Sequence, residues 1–391
     1  MISVDQAWQL VMKEFSLPQI EEVSLLDSLG RILAEDILAD RDGPPYDRVT
    51  MDGIAIDSKQ LESQLSFKIE SVAKAGEAQK RLLKNQNAIE IMTGALLPFG
   101  CDTVIRYEDL KIESGVAVIT ASLSSRISNI HFKGSDFKKN DIIVKKGHKI
   151  LAPMIGILAS SGKSFIKVVR HPKIAIVSTG DELVEITEAP LEHQIRRSNL
   201  YALAGLLKSF GYHSTELVHL PDEPKIIYDN LKTLIANNDV VILSGGVSEG
   251  KFDFIPQTLN DLGVREIFHK VSQRPGKPLW FGKKEEKMIF GLPGNPVSCL
   301  VCLRRYFIEA EKNQMTNVIL EADTNVSGDR VFFQAVKLRN CEGKMMASLL
   351  PGNGSGDYLS LKESDGFVEL DPMKNPFHKN QVVKFFSWSN Q

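Results

Sequence analysis

One turn that follows a strand-like run carries residue types suited to holding a phosphorylated ligand. It contains Thr179, Gly180 and Glu182, directly after the apolar run 173–178. Small residues let the backbone approach a ligand, and a carboxylate there can hold a hydroxyl, an amide or a cation. The same residues could equally form an ordinary helix cap.

A second turn, 244–253, is richer in glycine and leads into a helix-length segment. Ser244, Gly245 and Gly246 follow the run 240–244, and Asp253 closes the turn. Because unpaired N–H groups at such a position attract anions, the turn predicts a phosphate cradle. It also spells the start of a P-loop, but residue 252 is phenylalanine where a P-loop needs serine or threonine. A second near match, 162–164, lacks the first glycine and precedes a strand, so neither is a true P-loop.

A basic loop follows, with Lys270, Arg274 and Lys277 beside two prolines. Prolines restrict the path of a loop, and cations fixed in this way suit an oxyanion such as phosphate or molybdate. The alternative interpretation is a solvated run of charges with a turn in it.

The segment 291–298 predicts a second rigid anion site. It contains Pro293, Asn295, Pro296 and Ser298 and leads into a helix that starts near Pro296, where proline is acceptable. The C-x-x-C pair that follows, at 299 and 302, lies in an apolar helix without a second cysteine pair or a nearby histidine. We therefore expect these cysteines to pack in the core.

The elements that must position these residues divide the chain. The chain has 391 residues, whereas a single hydrophobic core stops growing at roughly 250 to 300 residues, so we expect several domains. Helical spacing predicts helices at 3–15, 24–36 and 151–161. Short strand-like runs between glycines, asparagines and serines predict a small β-domain at 46–137. Alternating strands and helices predict a doubly wound α/β domain from 172 to 311. Short strand-like runs after 317 predict a barrel.

Composition excludes several classes of protein. Lys plus Arg number 47 against 49 Asp plus Glu, a net charge of −2 that gives no reason to expect nucleic acid. No apolar run approaches the 18 or so residues of a membrane helix, and no signal peptide is apparent. Four scattered cysteines fit a reducing compartment, so we expect a cytoplasmic protein.

Seven segments taken together resemble one family. In order they are MDG (51–53), MTGA (92–95), G-x-D (134–136), STGDEL (178–183), the turn 244–253, PGKP (275–278) and GLPGNPVS (291–298). This set resembles the molybdopterin molybdenumtransferases, called MoeA in bacteria and represented in animals by the gephyrin E domain. The resemblance spans nearly the whole chain.

The resemblance implies a multidomain fold that combines α/β with β structure. We expect an extended helical linker domain (1–45 and 138–168), an inserted small β-domain (46–137), a doubly wound α/β molybdopterin-binding domain (169–314) and a C-terminal β-barrel domain (315–391). The family assembles as an elongated homodimer.

The resemblance also implies the reaction. Molybdopterin adenylate would bind the α/β domain, and molybdate would be inserted with release of AMP and the assistance of Mg²⁺, for which a hard oxygen ligand near a phosphate is suited. By motif match, the catalytic residues are Asp52, Glu182, Asp253, Lys270, Arg274 and Lys277, with Asp253 and Glu182 as metal ligands. The substrate-binding residues are Thr93, Asp136, Thr179, Gly180, Asp222, Ser244, Gly245, Gly246, Pro293, Asn295, Pro296 and Ser298. In the family, the inserted domain with Asp52, Thr93 and Asp136 approaches the partner subunit's site.

Four positions, in three places, depart from the family pattern. Arg274 replaces a common lysine, Ser135 replaces a common acid, and Arg196 and Arg197 replace an aromatic residue and an acid. The molybdopterin adenylyltransferase and apo-molybdoenzymes are the transient partners that the resemblance implies.

Two other functions compete. An adenylyltransferase of the same pathway would leave residues 1–165 and the barrel unexplained. A scaffold without turnover is opposed by the intact acids at 52, 182, 222 and 253.

Overall fold

The computed structural model describes residues 1–15, 19–120, 129–247 and 254–390. Its residues fall into two units, one of Ile20–Val169 and one that combines Met1–Gln19 with Arg170–Gln391. The multidomain architecture of α/β and β parts expected from the sequence is confirmed. Within the described residues, no helix is long and apolar enough to cross a membrane.

The two ends of the unit Ile20–Val169 fold together. Ile20–Ser24 pairs antiparallel with Phe165–Val169, and Ile37–Leu38 with Ile142–Val144. The helix Ala152–Ser160 completes a small apolar core with them.

The helix predicted at 24–36 is wrong. Only Leu26–Ser28 forms one 3-10 turn there, and Gly30 has a φ of +80°, a left-handed conformation that ends a helix. Leu33 instead bridges to Val168, which is far along the chain. The apolar residues have helical spacing, but the backbone here forms β-bridges instead of a helix, because pairing with a distant segment outweighs the local preference.

The middle of the same unit forms the β-domain. Its six-stranded sheet has the order Thr103–Arg106, Gly53–Ile56, Ala88–Ile91, Ser66–Ala73, Val116–Ile119, Leu110–Glu113. Successive side chains of a strand point to opposite faces, so Ile54 and Ala55 enter different apolar clusters. Shorter elements are Arg48–Val49 paired with Ile130–His131, and the 3-10 turns Ser58–Glu62 and Tyr107–Asp109.

A doubly wound α/β sheet forms the larger part of the second unit. Its strand order is Thr215–Leu220, Ile174–Thr179, Val240–Ser244, Lys287–Leu292, Trp280–Lys284, Arg265–His269. The first four strands are parallel and the last two pair antiparallel. A short parallel pair, Leu183–Val184 with Ile195–Arg196, lies beside the sheet.

Helices cover both faces of this sheet. Val4–Glu14, Ser198–Ser209 and Pro296–Cys302 pack on the face of Ile174 and Ile176. The helices Pro224–Asn237 and Ile255–Asp261 pack on the opposite face. The helix from Pro296 continues through the π-helical segment Leu303–Ile308 and Glu309–Lys312 toward the C-terminal part.

The C-terminal strands close into a barrel. They are Thr316–Leu320, Val331–Cys341, Lys344–Leu349, Gly366–Leu370 and Val382–Ser387. The long strand Val331–Cys341 pairs with both Lys344–Leu349 and Gly366–Leu370, which closes the ring. The 3-10 turns Tyr358–Leu361 and Pro372–Lys374 lie between strands. The strand Gln273–Arg274 of the basic loop pairs parallel with Val331 and Phe332, so this loop is docked on the barrel.

Candidate functional site

A cavity of about 560 Å³ opens at the carboxyl ends of the strands Ile174–Thr179 and Val240–Ser244. The next two strands that the chain adds to this sheet, Thr215–Leu220 and Val240–Ser244, lie on opposite sides of Ile174–Thr179. Open α/β sheets bind ligands at the carboxyl ends of the strands where the strand order reverses in this way. Ten of the predicted site residues line it: Thr179, Gly180, Glu182, Asp222, Ser244, Gly245, Gly246, Pro293, Asn295 and Pro296.

Two glycines of this cavity tolerate no side chain. Gly180 has a φ of +137°, and a Cβ atom there would lie 2.5 Å from Oε2 of Glu182. Gly246 has a φ of +69°, and its Cβ would lie 2.7 Å from Ile255 and 2.9 Å from the hydroxyl of Thr179. At Gly246 the second turn therefore packs closely against the side chain of Thr179 in the first turn, where only glycine leaves room.

Among the described residues, the acids that line the cavity are Glu182 and Asp222. Asp181, in the same turn as Glu182, accepts a hydrogen bond from the backbone N–H of Asp222 at 3.1 Å and so fixes the backbone at the second acid. Nearby, burial and the charge of Arg197 lower the pKa of His219, so its ring is neutral at pH 7 and shares a hydrogen bond with Ser178 at 3.1 Å.

The donor set fits a hard cation. Mg²⁺ is commonly held by one or two carboxylates together with phosphate oxygens and water, and two carboxylates line a cavity of suitable size. In the part of the chain that the structure describes, no group of three or more histidine, cysteine, aspartate or glutamate side chains could hold a metal ion. The predicted ligand Asp253 lies outside the described residues.

A second cavity, of about 300 Å³, is cationic. Arg274, Lys277 and Arg330 line it together with Ser298 and Ser355. Arg274 lies over the ring of Phe332 at 5.6 Å, and neither it nor Lys277 has a carboxylate within 4.0 Å among the described side chains. The third cation, Arg330, lies 3.7 Å from a carboxylate oxygen of Asp329. Three cationic side chains next to two hydroxyls form a site suited to an oxyanion.

The two cavities share a wall. Pro278, Pro293, Gly294 and Asn295 line both of them. A ligand in the large cavity and an oxyanion in the small one would therefore lie against the same four residues.

The barrel supplies site residues that sequence reasoning missed. Arg330 and Ser355 line the small cavity, and Gly356 lines the large one. Ser355 is fixed because its hydroxyl accepts from the amide of Asn295 at 2.7 Å and its carbonyl accepts from the N–H of Val297 at 3.0 Å. The glycine-rich run 351–357 was the available signal.

The remaining predicted cations lie in different surroundings. Lys270, with a φ of +73°, is not on the described lining of either cavity. Arg196 and Arg197 both line the large cavity, but Arg197 is paired with Glu185. Arg196 donates from Nε to the carbonyls of Ile186 and Glu188 at 3.0 and 3.1 Å.

The residues predicted in the inserted domain belong to the other unit. Asp52 accepts two hydrogen bonds from Thr93. Asp136 lies 2.8 Å from Nε2 of His131, whose Nδ1 lies 3.1 Å from the guanidinium of Arg48. Because an arginine can only donate, Nδ1 is the acceptor and the ring donates from Nε2 to Asp136. Ser135, in the place of an acid, donates to the same carboxylate at 3.4 Å.

The C-x-x-C pair is part of the core, as predicted. Cys299 and Cys302 are both fully buried, and Cys299 donates to the carbonyl of Pro293 at 2.6 Å. Burial raises the pKa of Cys299 to about 12. Cys299 thus contacts Pro293, a residue that lines both cavities.

Comparison with known proteins covers the whole chain. The profile of the MoeA N-terminal region (domain I and II) matches residues 2–162, that of a probable molybdopterin binding domain matches 175–312, and that of the MoeA C-terminal region (domain IV) matches 317–388. A molybdopterin molybdenumtransferase of Synechocystis sp. is 38% identical over 99% of this chain and 100% of its own length. Another, of Staphylococcus epidermidis, is 33% identical over 98% of this chain and 94% of its own. A crystal structure of a molybdopterin biosynthesis MoeA protein from a Pyrococcus species aligns with a TM-score of 0.82 and 29% identity over 100% of both chains.

Proposed function

This chain belongs to the MoeA family of molybdopterin molybdenumtransferases, which act in molybdenum cofactor biosynthesis, and from that premise we propose that it inserts molybdate into adenylylated molybdopterin with release of AMP. The observation that carries the proposal is the shared wall between the large cavity and the cationic cavity. A reaction between a nucleotide-bearing substrate and an oxyanion needs two such sites side by side.

The large cavity is the proposed site of the adenylylated substrate. Its volume of about 560 Å³ suits a small molecule of that class, and the glycine turns at Gly180 and Gly246 let backbone N–H groups approach phosphate oxygens. Thr179, Ser244 and Asn295 supply polar groups that orient the substrate.

The small cavity is the proposed site of molybdate. Arg274, Lys277 and Arg330 neutralise its charge, and Ser298 and Ser355 donate hydrogen bonds to its oxygens. The arginine that replaces the family's common lysine at 274 keeps the charge. The alternative of an adenylyltransferase leaves these barrel residues without a role.

We propose Mg²⁺ as the cation of the large cavity, held by Glu182 and Asp253 with Asp222 nearby. When bound, it would neutralise charge on the phosphoanhydride that breaks as AMP leaves. The protein's own contribution is to fix the turns that carry these carboxylates, as Asp181 does when it accepts from the backbone N–H of Asp222.

A homodimer is part of the proposal. The unit Ile20–Val169 exposes many large apolar side chains, among them Ile20, Leu26, Leu29, Ile157 and Phe165. A contiguous exposed apolar patch marks an interface, and we propose that the partner subunit covers side chains of this set. In the proposed dimer, Asp52, Thr93 and Asp136 approach the partner subunit's cavity. The adenylyltransferase of the pathway and apo-molybdoenzymes are the proposed transient partners, in the cytoplasm.

The test is AMP release from molybdopterin adenylate with Mg²⁺, with and without molybdate. We expect release that requires both ions and leaves a cofactor able to activate an apo-molybdoenzyme. Tight binding without release would instead identify a scaffold.

Two variants refine this test. Asp253→Asn should abolish release, and Lys277→Gln should raise KM for molybdate about tenfold, since one charged partner of the anion is lost. Lys232→Gln, on the exposed side of the helix Pro224–Asn237, is the matched control. An unchanged KM in Lys277→Gln would contradict the assignment of the small cavity to molybdate.

A further inference from the structure

One amide in the wall of the large cavity joins several parts of the fold. Asn199, in the helix Ser198–Ser209, donates from Nδ2 to the carbonyl of Gly294 at 2.8 Å and to the hydroxyl of Ser244 at 3.1 Å. Its Oδ1 accepts from the hydroxyl of Tyr358 at 2.9 Å. Because the carbonyl of Gly294 can only accept, the flipped amide would set two acceptors against each other. The orientation is therefore fixed.

The amide of Asn199 has no donor left for a ligand. An asparagine carries two amide hydrogens, and Gly294 and Ser244 take both, while Cys299 makes a weaker contact at 3.6 Å. Although Asn199 lines the large cavity, its polar atoms are engaged with the protein. It acts on other residues of the site rather than on the substrate.

The partners of Asn199 belong to different sides of the two cavities. Ser244 lines the large cavity, and Gly294 belongs to the shared wall. Tyr358 begins the 3-10 turn that follows Ser355, a barrel residue of the small cavity. Burial raises the pKa of Tyr358 to about 12, so its hydroxyl keeps the proton that it donates.

We infer that Asn199 and Tyr358 are positioning residues that hold the barrel loop of Ser355 in register with the shared wall, and so set the geometry of the oxyanion site. Their hydrogen bond crosses from the α/β helix to the barrel, and Asn199 extends it to Gly294 and Ser244. The inference deepens the proposed function and rests on it for the identity of the oxyanion.

The variant that isolates this hydrogen bond is Tyr358→Phe, which keeps the ring. We expect KM for molybdate to rise about threefold to tenfold and KM for molybdopterin adenylate to stay within about twofold, since one neutral hydrogen bond is lost on the barrel side only. In Asn199→Asp, a carboxylate replaces the donor to Gly294 and Ser244, so both KM values should rise.

Matched controls lie on the helix Pro224–Asn237, away from both cavities. Tyr228→Phe and Asn237→Asp make the same chemical changes at exposed positions and should leave both KM values unchanged. A purely structural role predicts a different result, namely a smaller amount of active protein with both KM values as in the wild type. If Tyr358→Phe gives less active protein with both KM values as in the wild type, the inference is overturned. This holds even if Asn199→Asp fails to fold.

A direct titration with molybdate separates the inference from the proposed function. If the wild-type protein binds molybdate but releases no AMP, the proposed function fails. Weaker molybdate binding by Tyr358→Phe then still supports the positioning role, and equal binding overturns it. Wild-type protein that binds no molybdate overturns both.

Discussion

The carboxylate of Asp52 accepts two hydrogen bonds from Thr93, one from the backbone N–H at 2.6 Å and one from the hydroxyl at 2.7 Å. Both bonds favour the charged form, and they hold the pKa of Asp52 below its ordinary value. Asp52 and Thr93, which the sequence predicted as separate site residues, are thus joined by two hydrogen bonds.

Thr93→Val should raise the pKa of Asp52 toward its ordinary value, because it removes the hydroxyl and keeps the backbone donor. A lowered pKa in the folded state gives stability above the unfolded-state pKa, and this stability is lost as pH falls through the folded value. The variant should therefore lose less stability on acidification. The carboxyl ¹³C chemical shift of Asp52, followed against pH, measures the change. An identical titration curve would contradict it.

Gly180→Ala should destabilise the protein by about 1–3 kcal/mol, because an alanine must adopt a φ of +137° there. Its Cβ would also displace the carboxylate of Glu182, so AMP release should fall. Urea denaturation and the AMP assay measure the two effects. Gly205→Ala is the matched control, since this helical glycine has open space around it and alanine there should stabilise by up to about 1 kcal/mol. Equal behaviour of the two variants would disprove the close packing at Gly180.

Thiol reagents should modify the four cysteines at very different rates. Cys341 is partly exposed, whereas Cys101, Cys299 and Cys302 are buried, and burial raises the pKa of Cys101 and of Cys299 to about 12. Since the thiolate is the reactive form, we expect one fast thiol per chain at pH 8, and three more only on unfolding. A chromogenic disulfide reagent counts them. Rapid modification of Cys299 would revive a redox interpretation of the C-x-x-C pair.

Glu369→Gln should lower the free energy of unfolding by about 3 kcal/mol. Glu369 is a barrel residue whose side chain is 9% exposed, and it contacts Arg305 and Lys384, each at 2.9 Å. Burial would raise the pKa of Glu369, but the two cations outweigh it and the pKa lies below its ordinary value. Loss of the carboxylate leaves the buried Arg305 without its charge partner.

Chemical denaturation at pH 7 measures this loss. Glu113→Gln, which breaks the exposed pair with Lys111, serves for comparison and should change stability by less than about 0.5 kcal/mol. If Glu369→Gln also changed stability by less than about 0.5 kcal/mol, the ion pair of Glu369 with Arg305 would add little to the packing of the helical segment Leu303–Ile308 on the barrel.

The sequence predicted the α/β domain and its turns well, because there local signals agree with the fold. Strand-like runs end in glycine-rich turns, and the residues of those turns converge on one cavity. The sequence did not predict the contributions of Arg330, Ser355 and Tyr358, since these arrive from the barrel by long-range packing. Tyr358 and Asn199 are 159 positions apart, and no local pattern relates them.

The wrong prediction of a helix at 24–36 also results from long-range contacts. Its apolar spacing was real, but the backbone pairs with residues more than a hundred positions later. Local periodicity cannot reveal such a partner.

The small cavity has a consequence for what any fragment of this chain can do. An isolated α/β domain would keep nearly all of the large cavity, yet it would lack Arg330 and Ser355 and so one side of the oxyanion pocket. Such a fragment could capture a nucleotide-bearing ligand without presenting it to a second reactant. On the proposed assignment of the two cavities, the barrel is what allows a domain that recognises one molecule to bring two molecules together.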